Sequence, residues 1–236
     1  EELLQNNERS FVSIMHANNE LGTLSDMKRV GDICEQYNAI YHADTVQTMG
    51  HYPHNVRELK AHFIVCAAHK LHGPKGVGFL YVNSNIKIPP MNYGGAQERN
   101  MRGGTENVYG IVGLAKALEI AYAEMDQHQN HIQGLKDYLK AQLVAEIPGI
   151  AFNGETDADK SLYTVLNVSF PEMDMADMLL FNLDINGICA SGGSACSSGS
   201  NIGSHVLNGI KADPNRPSVR FSFSKYTTKE ELDYVI

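Results

Sequence analysis

Lys70 stands in "CAAHKLHGPKGVGFLYV" (66–82), just past a short apolar run, with His69 before it and His72 two residues on. A lysine on a stiff loop at the end of a strand can condense with an aldehyde cofactor. Pyridoxal phosphate, the commonest such aldehyde, also needs a carboxylate against its ring nitrogen, which keeps the ring an electron sink. Asp44 ends the preceding apolar run, 26 residues earlier (70 − 44). Gln47 and Asn19 are amides suited to hydrogen bonding a ring hydroxyl, and His69 is suited to a phosphate. Taken singly, Lys70 reads as a solvated loop lysine and Asp44 as a turn residue. Taken as an ordered set, they read as a cofactor site.

A second reactive group is Cys196, in "ASGGSACSSGSNIGS" (190–204). This run of small residues lacks apolar periodicity and reads as a mobile surface loop, where a thiol is exposed and able to attack once ionised. Cys34, Cys66 and Cys189 fall on apolar helix or strand positions and read as packed side chains. No CxxC or metal-finger spacing occurs, so the four cysteines read as reduced thiols of a cytoplasmic protein. The histidines show no metal spacing either. The pair His128 and His131 lies on a polar helix face and reads as solvated, so no metal is expected. The glycines of "YGGAQERNMRGGT" (93–105) suit a loop that approaches a phosphate.

These groups need a scaffold, and the chain alternates between strand and helix patterns. "FVSIM" (11–15) reads as a buried strand, "SDMKRVGDICEQYN" (25–38) as a helix capped by Ser25 or Asp26, and "AIYHAD" (39–44) as a strand. "NVRELKA" reads as a short helix, followed by the strands "HFIVCAA" and "GVGFLYV". Such alternation predicts an α/β layer with a mostly parallel sheet, in which ligands sit at the carboxyl ends of the strands. Asn18, Asn19, Asp44 and Lys70 all follow strand ends. Residues 106–146 read as a long helical stretch closed by Pro148-Gly149. Beyond it, "LYTVLNVSF", "GICAS" and "SVRFSFS" read as strands, and "MADMLLFNLD", "HVLNGI" and "TTKEELDYVI" as helices. This second part is a smaller α+β unit, with the division placed at 1–125 and 126–236.

The chain has 236 residues, of which 43% are hydrophobic, enough for a sizeable core. A net charge of −8 argues against a nucleic-acid surface. No apolar stretch approaches the ~18 residues of a membrane span, and no signal-peptide pattern opens the sequence.

"HANNELGT", "YHADTVQTMG", "AAHKLHGPKGVGFLYV", "GGAQERNMRGGTENV", "ASGGSACSSGS" and "VRFSFSKYTTKEELD" occur in that order. Together they resemble the cysteine desulfurases of the iron–sulfur cluster assembly and nitrogen-fixation type, within the class V aminotransferase superfamily. The resemblance covers nearly the whole chain. It implies a fold-type I enzyme dependent on pyridoxal 5′-phosphate, and a homodimer. It also implies conversion of L-cysteine to L-alanine, with the sulfur left as a persulfide for delivery to an acceptor scaffold protein.

On this resemblance Lys70 links to the cofactor aldehyde, Asp44 pairs with the ring nitrogen, and Asn19 and Gln47 lie near the ring hydroxyl. Asn19 also belongs to the substrate site. His69 and Thr105 contact phosphate, Thr105 that of the neighbouring subunit. Arg220 holds the substrate carboxylate, a role that suits a planar fork, and Cys196 accepts the sulfur. Residues 1–125 would be the C-terminal part of the large cofactor-binding domain, and 126–236 the small domain carrying the cysteine loop. Two departures stand out. Ala67 replaces the usual serine or threonine two residues before the histidine, which removes one phosphate hydrogen bond. The family's upstream phosphate cradle and ring-stacking histidine are absent from these residues. The chain is therefore expected to be a piece of a longer polypeptide holding part of the cofactor site. Selenocysteine lyase, another class V activity, or a non-catalytic fragment that dimerises or docks a partner remain as alternatives.

Overall fold

Apolar five-residue runs, each followed by a capped helix or a short turn, set the order of the first sheet. The structure, a computed structural model, describes residues 1–192 and 204–236. They form two compact units, one of Glu1–His16 with Asp26–Met125, the other of Ala17–Ser25 with Asp126–Ile236. The sequence-based division kept residues 17–25 with the first part.

In the first unit, α1 (Glu2–Gln5) precedes β1 (Phe11–Met15), α2 (Met27–Gln36), β2 (Ile40–Asp44), α3 (Val56–Leu59), β3 (Phe63–Ala67) and β4 (Gly78–Val82). The Asp26 carboxylate accepts from the Arg29 amide and starts α2. Met27 and Cys34 of that helix are buried with Tyr41, Ala43, Ile64 and Cys66 of the strands. The strands lie in the order β1-β2-β3-β4, parallel except for the β3–β4 pair. The stretch between β3 and β4 is too short for a parallel crossover, which takes about a dozen residues or more, so β4 returns antiparallel. It does so in close contact: a Cβ on Gly78 would lie 2.2 Å from the Cys66 carbonyl oxygen, so only glycine fits.

β1 differs from the sequence expectation. It is an edge strand, with Phe11 61% and Met15 43% exposed. Val12 and Ile14 pack on the core while Phe11, Ser13 and Met15 face outward, because a strand with one neighbour and one covered face buries only every second residue. Beyond β4 come α4 (Gln97–Asn100) and α5 (Val108–Ala123).

The second unit contains α6 (Met125–Glu146, from Asp126 on), β5 (Ala151–Phe152), β6 (Val165–Ser169), α7 (Leu179–Ile185), α8 (His205–Gly209), β7 (Ser218–Ser222) and α9 (Lys229–Val235). Glu124 separates α5 from α6, so the long helical stretch is two helices. The sheet is antiparallel, β5-β6-β7. Its central strand β6 is buried throughout. The segment 17–25 is tied to this unit by hydrogen bonds from the Leu162 amide to the Gly22 carbonyl and from the Leu24 amide to the Lys160 carbonyl. Thr228 and Glu231 form a reciprocal capping box at the start of α9.

The expected strand at "GICAS" does not form. Gly187 turns at φ +77° and Cys189 is exposed; Ser191 alone pairs, in a single bridge with Arg220. Cys189 is thus not the packed thiol the sequence suggested.

Lys136, on α6, is fully buried, and its ammonium donates to Ser161 Oγ (2.7 Å) and the Leu162 carbonyl (3.0 Å). Burial lowers its pKa from 10.5 to about 8. In the folded state the lysine therefore loses its proton first, and between pH 8 and 10.5 the unfolded chain binds more protons. Stability must rise with pH across that window, by about 3 kcal/mol at most. Lys136→Met abolishes this component. The difference in unfolding free energy between wild type and variant should move in favour of the wild type from pH 8 to 10.5, as read by urea titrations at each pH. A constant difference would show that the ammonium is not destabilised by burial.

Candidate active site

The carboxyl edge of the parallel strands gathers four of the residues singled out from the sequence. Asp44 is the last residue of β2, in register with Met15 of β1 and Val65 of β3. Its Oδ1 accepts the Val46 amide (3.0 Å), which fixes the carboxylate at the start of a tight turn. Thr45 Oγ1 donates to the Val65 carbonyl (2.6 Å), and the Thr48 and Met49 amides both reach the Thr45 carbonyl. Gln47, half-buried, rides on this turn.

Lys70 ends a single 3₁₀ turn, Ala68–Lys70, directly after β3. The Ala68 carbonyl accepts both the Leu71 and Gly73 amides (3.0 and 2.9 Å), and the Ala68 amide donates to the Val77 carbonyl (3.0 Å). Leu71 is buried beneath the turn, while His69 and Lys70 are exposed. The loop is stiff, and its two basic side chains point away from the core. Thr105 is also in the first unit, exposed, on the glycine-rich loop before α5. That loop folds on itself: the Gly103 amide donates to the Asn92 carbonyl, and a Cβ on Gly103 would lie 2.7 Å from the Gly94 nitrogen.

Asn19 and Arg220 belong to the second unit and touch each other. Arg220, in β7, donates from Nη1 to the Asn19 carbonyl (2.8 Å). It faces Asn167 across the β6–β7 ladder, and the Asn167 amide nitrogen donates to the Glu20 carbonyl (3.1 Å). Asn18 Oδ1 accepts the Glu20 and Leu21 amides, both at 2.9 Å. The turn at 18–21 is therefore held by its own asparagine and by two facing strand residues. Cys196 lies outside the described residues.

Two features, one in each unit, were missed by sequence reading. His16, following β1, bonds Thr48 Oγ1 through Nδ1 (2.8 Å), and the same hydroxyl meets His54 Nε2 (3.2 Å). Burial, with a smaller contribution from His54, lowers the His16 pKa to about 4, and burial lowers that of His54. Near neutral pH this pair is uncharged and braces the turn that carries Gln47. The other is Glu20, which is 1% exposed. An acidic residue in a polar loop gives no sequence signal of burial.

Among the thiols, burial raises Cys66 to about 11 and also raises Cys34. Neither forms a thiolate readily. Among the described residues no group of three or more His, Cys, Asp or Glu side chains is placed to hold a metal ion. None of the described helices is long and apolar enough to cross a membrane.

The residues present suit pyridoxal phosphate: a carboxylate, an amide, an imidazole and an exposed amine lie along one sheet edge, on turns fixed by backbone hydrogen bonds. Comparison with known proteins gives the family. The Aminotransferase class-V family matches residues 1–235. A cysteine desulfurase IscS of Dictyoglomus turgidum is 42% identical over 228 residues, 96% of this chain and 57% of the relative. A cysteine desulfurase IscS of Clostridium botulinum is 40% identical over 231 residues, 97% of this chain and 58% of the relative. Among solved structures, a NifS-like protein from Rickettsia africae superposes with a TM-score of 0.86 at 31% identity, covering 99% of this chain and 62% of that one. The chain thus spans somewhat over half the length of the curated relatives it matches.

Proposed function

Because the chain belongs to the class-V aminotransferase family, we propose that it acts within a pyridoxal 5′-phosphate-dependent cysteine desulfurase that turns L-cysteine into L-alanine and passes the sulfur to an acceptor protein. The observation that carries this reading is the placement of Asp44 and Lys70 at the carboxyl ends of adjacent parallel strands, each on a turn fixed by backbone hydrogen bonds. Ligands of such sheets sit at that edge.

Bound there, pyridoxal phosphate supplies an electron sink for the carbon bonds of cysteine. With the cofactor bound, Asp44 would hold a proton on the ring nitrogen by its negative charge. Gln47 and Asn19 would hydrogen bond the ring hydroxyl, and His69 and Thr105 would hold phosphate oxygens, Thr105 those of a second subunit. Lys70 would hold the cofactor through its amine and would supply the base for the α-proton of cysteine. Arg220 grips the substrate carboxylate with its guanidinium fork. Cys196, as a thiolate, attacks the substrate sulfur: the S–S bond forms as the Cβ–S bond breaks, the electron pair stays on carbon, and that carbon takes a proton to give alanine.

In this reading residues 1–125 are part of the large cofactor-binding domain and 126–236 the small domain. The family resemblance also implies a homodimer. The four cysteines, read as reduced thiols, suit the cytoplasm. The test is product stoichiometry. The natural full-length protein, loaded with cofactor and given cysteine and a thiol acceptor, should release one alanine per sulfur transferred. Pyruvate and ammonia in place of alanine would replace this reaction with β-elimination.

A further inference from the structure

Asp44 and Gln47 stand on one turn, and His16 meets that turn at both ends. The His16 amide donates to the Asp44 carbonyl (2.8 Å), and its ring Nδ1 bonds the Thr48 hydroxyl (2.8 Å). Thr48 is fully buried, so its hydroxyl has no water to turn to if this partner is lost. His54 Nε2 reaches the same hydroxyl (3.2 Å), and its ring stands edge-on to that of His16, with centroids 5.4 Å apart. A hydroxyl has one proton to give, so at least one of the two rings donates to it, and rotating the hydroxyl sacrifices a bond. All of these residues belong to the first unit. The bonds within the turn, from the Val46 amide to Asp44 Oδ1 and from the Thr48 and Met49 amides to the Thr45 carbonyl, set its shape. Its place over the strand ends is set from two sides: Thr45 Oγ1 bonds the Val65 carbonyl of β3, and Thr48 bonds His16 at the end of β1. Gln47 lies between these two anchors.

We infer that His16 and Thr48 are positioning residues: the bond between them fixes Gln47 at the strand edge and so sets the preference for a cofactor that carries a ring hydroxyl. This role rests on the reading of the edge as a pyridoxal phosphate site with Gln47 at that hydroxyl. Neither imidazole and neither threonine takes part in the proposed chemistry. They act through Gln47 alone, by denying its turn the freedom to swing away from β1.

The test uses the full-length protein with Thr48→Val and His16→Phe, each of which removes one partner of the bond and keeps its shape, and Thr48→Ser, which keeps the hydroxyl. Before cofactor is added, exchange of the Val46, Thr48 and Met49 amides should quicken about 10- to 100-fold in the first two variants, the loss expected for a broken buried hydrogen bond. Exchange in β3 should not change, and Thr48→Ser should match wild type. The second arm compares dissociation constants for pyridoxal 5′-phosphate and its 3-deoxy analogue, which lacks the ring hydroxyl. The preference for pyridoxal phosphate should fall by about tenfold in Thr48→Val and His16→Phe, to the level of Gln47→Ala. Adding Thr48→Val to Gln47→Ala should lower it no further, because both changes act on one contact. A bond that only stabilised the fold would weaken both ligands alike. Unchanged exchange at 46–49, an equal rise in β3, or a preference that survives Thr48→Val and His16→Phe overturns the inference. A wild type indifferent to the ring hydroxyl would sink the reading of Gln47 and the selectivity with it, while exchange would still decide whether His16 holds the turn.

Discussion

In the natural full-length protein, Lys70→Ala should leave no cofactor fixed to the chain after borohydride reduction, and alanine formation from cysteine should fall by about 10²–10⁴-fold, the range supplied by a positioned proton-transfer group. Two proposed roles would be lost together, since the same amine would hold the cofactor and supply the base for the α-proton. The loop that carries it should survive the change. Lys70 is exposed, and the turn is held by backbone bonds around Ala68 and by buried Leu71. Truncating an exposed side chain there should alter stability by no more than about 0.5 kcal/mol. Cofactor should still bind, weakly and reversibly, through Asp44, Gln47 and His69. Mass spectrometry of the reduced protein locates the label. A label on Lys75, or on any other lysine of the variant, would show that the assignment is wrong.

In the full-length protein, Cys196→Ala removes the proposed sulfur acceptor and leaves the other proposed site residues in place. The variant should bind cysteine, and its cofactor absorption should still shift, because Asp44, Lys70 and Arg220 are untouched. Alanine and protein persulfide should both fall to background, since no thiolate remains to take the sulfur. The buried thiols are poor substitutes, with Cys66 raised to about 11 and Cys34 also raised. Cys189 is the informative competitor because it is exposed. Undiminished alanine formation with the persulfide mapped to Cys189 would move the acceptor role to that residue. Selenocysteine, whose selenium is expelled more readily, should retain more turnover in the variant than cysteine does.

Much of this protein is legible in its sequence because the signals are local. Asp26 caps α2 through an amide three residues away, and the box of Thr228 and Glu231 spans one helical turn. The strands that end at Asp44 and just before the Lys70 turn were marked by apolar runs, and the parallel pairing of β1, β2 and β3 by the alternation of strand and helix. A short β3–β4 connection even dictates the antiparallel return. The tertiary structure alone decided the rest, because it depends on partners far away in the chain. Phe11 and Met15 are exposed because they lie on the face of β1 opposite the core on which Val12 and Ile14 pack, which no pattern within "FVSIM" could reveal. Residues 17–25, which follow a strand of the first unit, pack with the second, where the Asn19 and Glu20 carbonyls meet side chains 201 and 147 residues away. Glu20 and Ser204 are separated by 184 residues. Each reads alone as an ordinary polar loop residue. Only the packing that buries one beside the other turns them into a bonded pair.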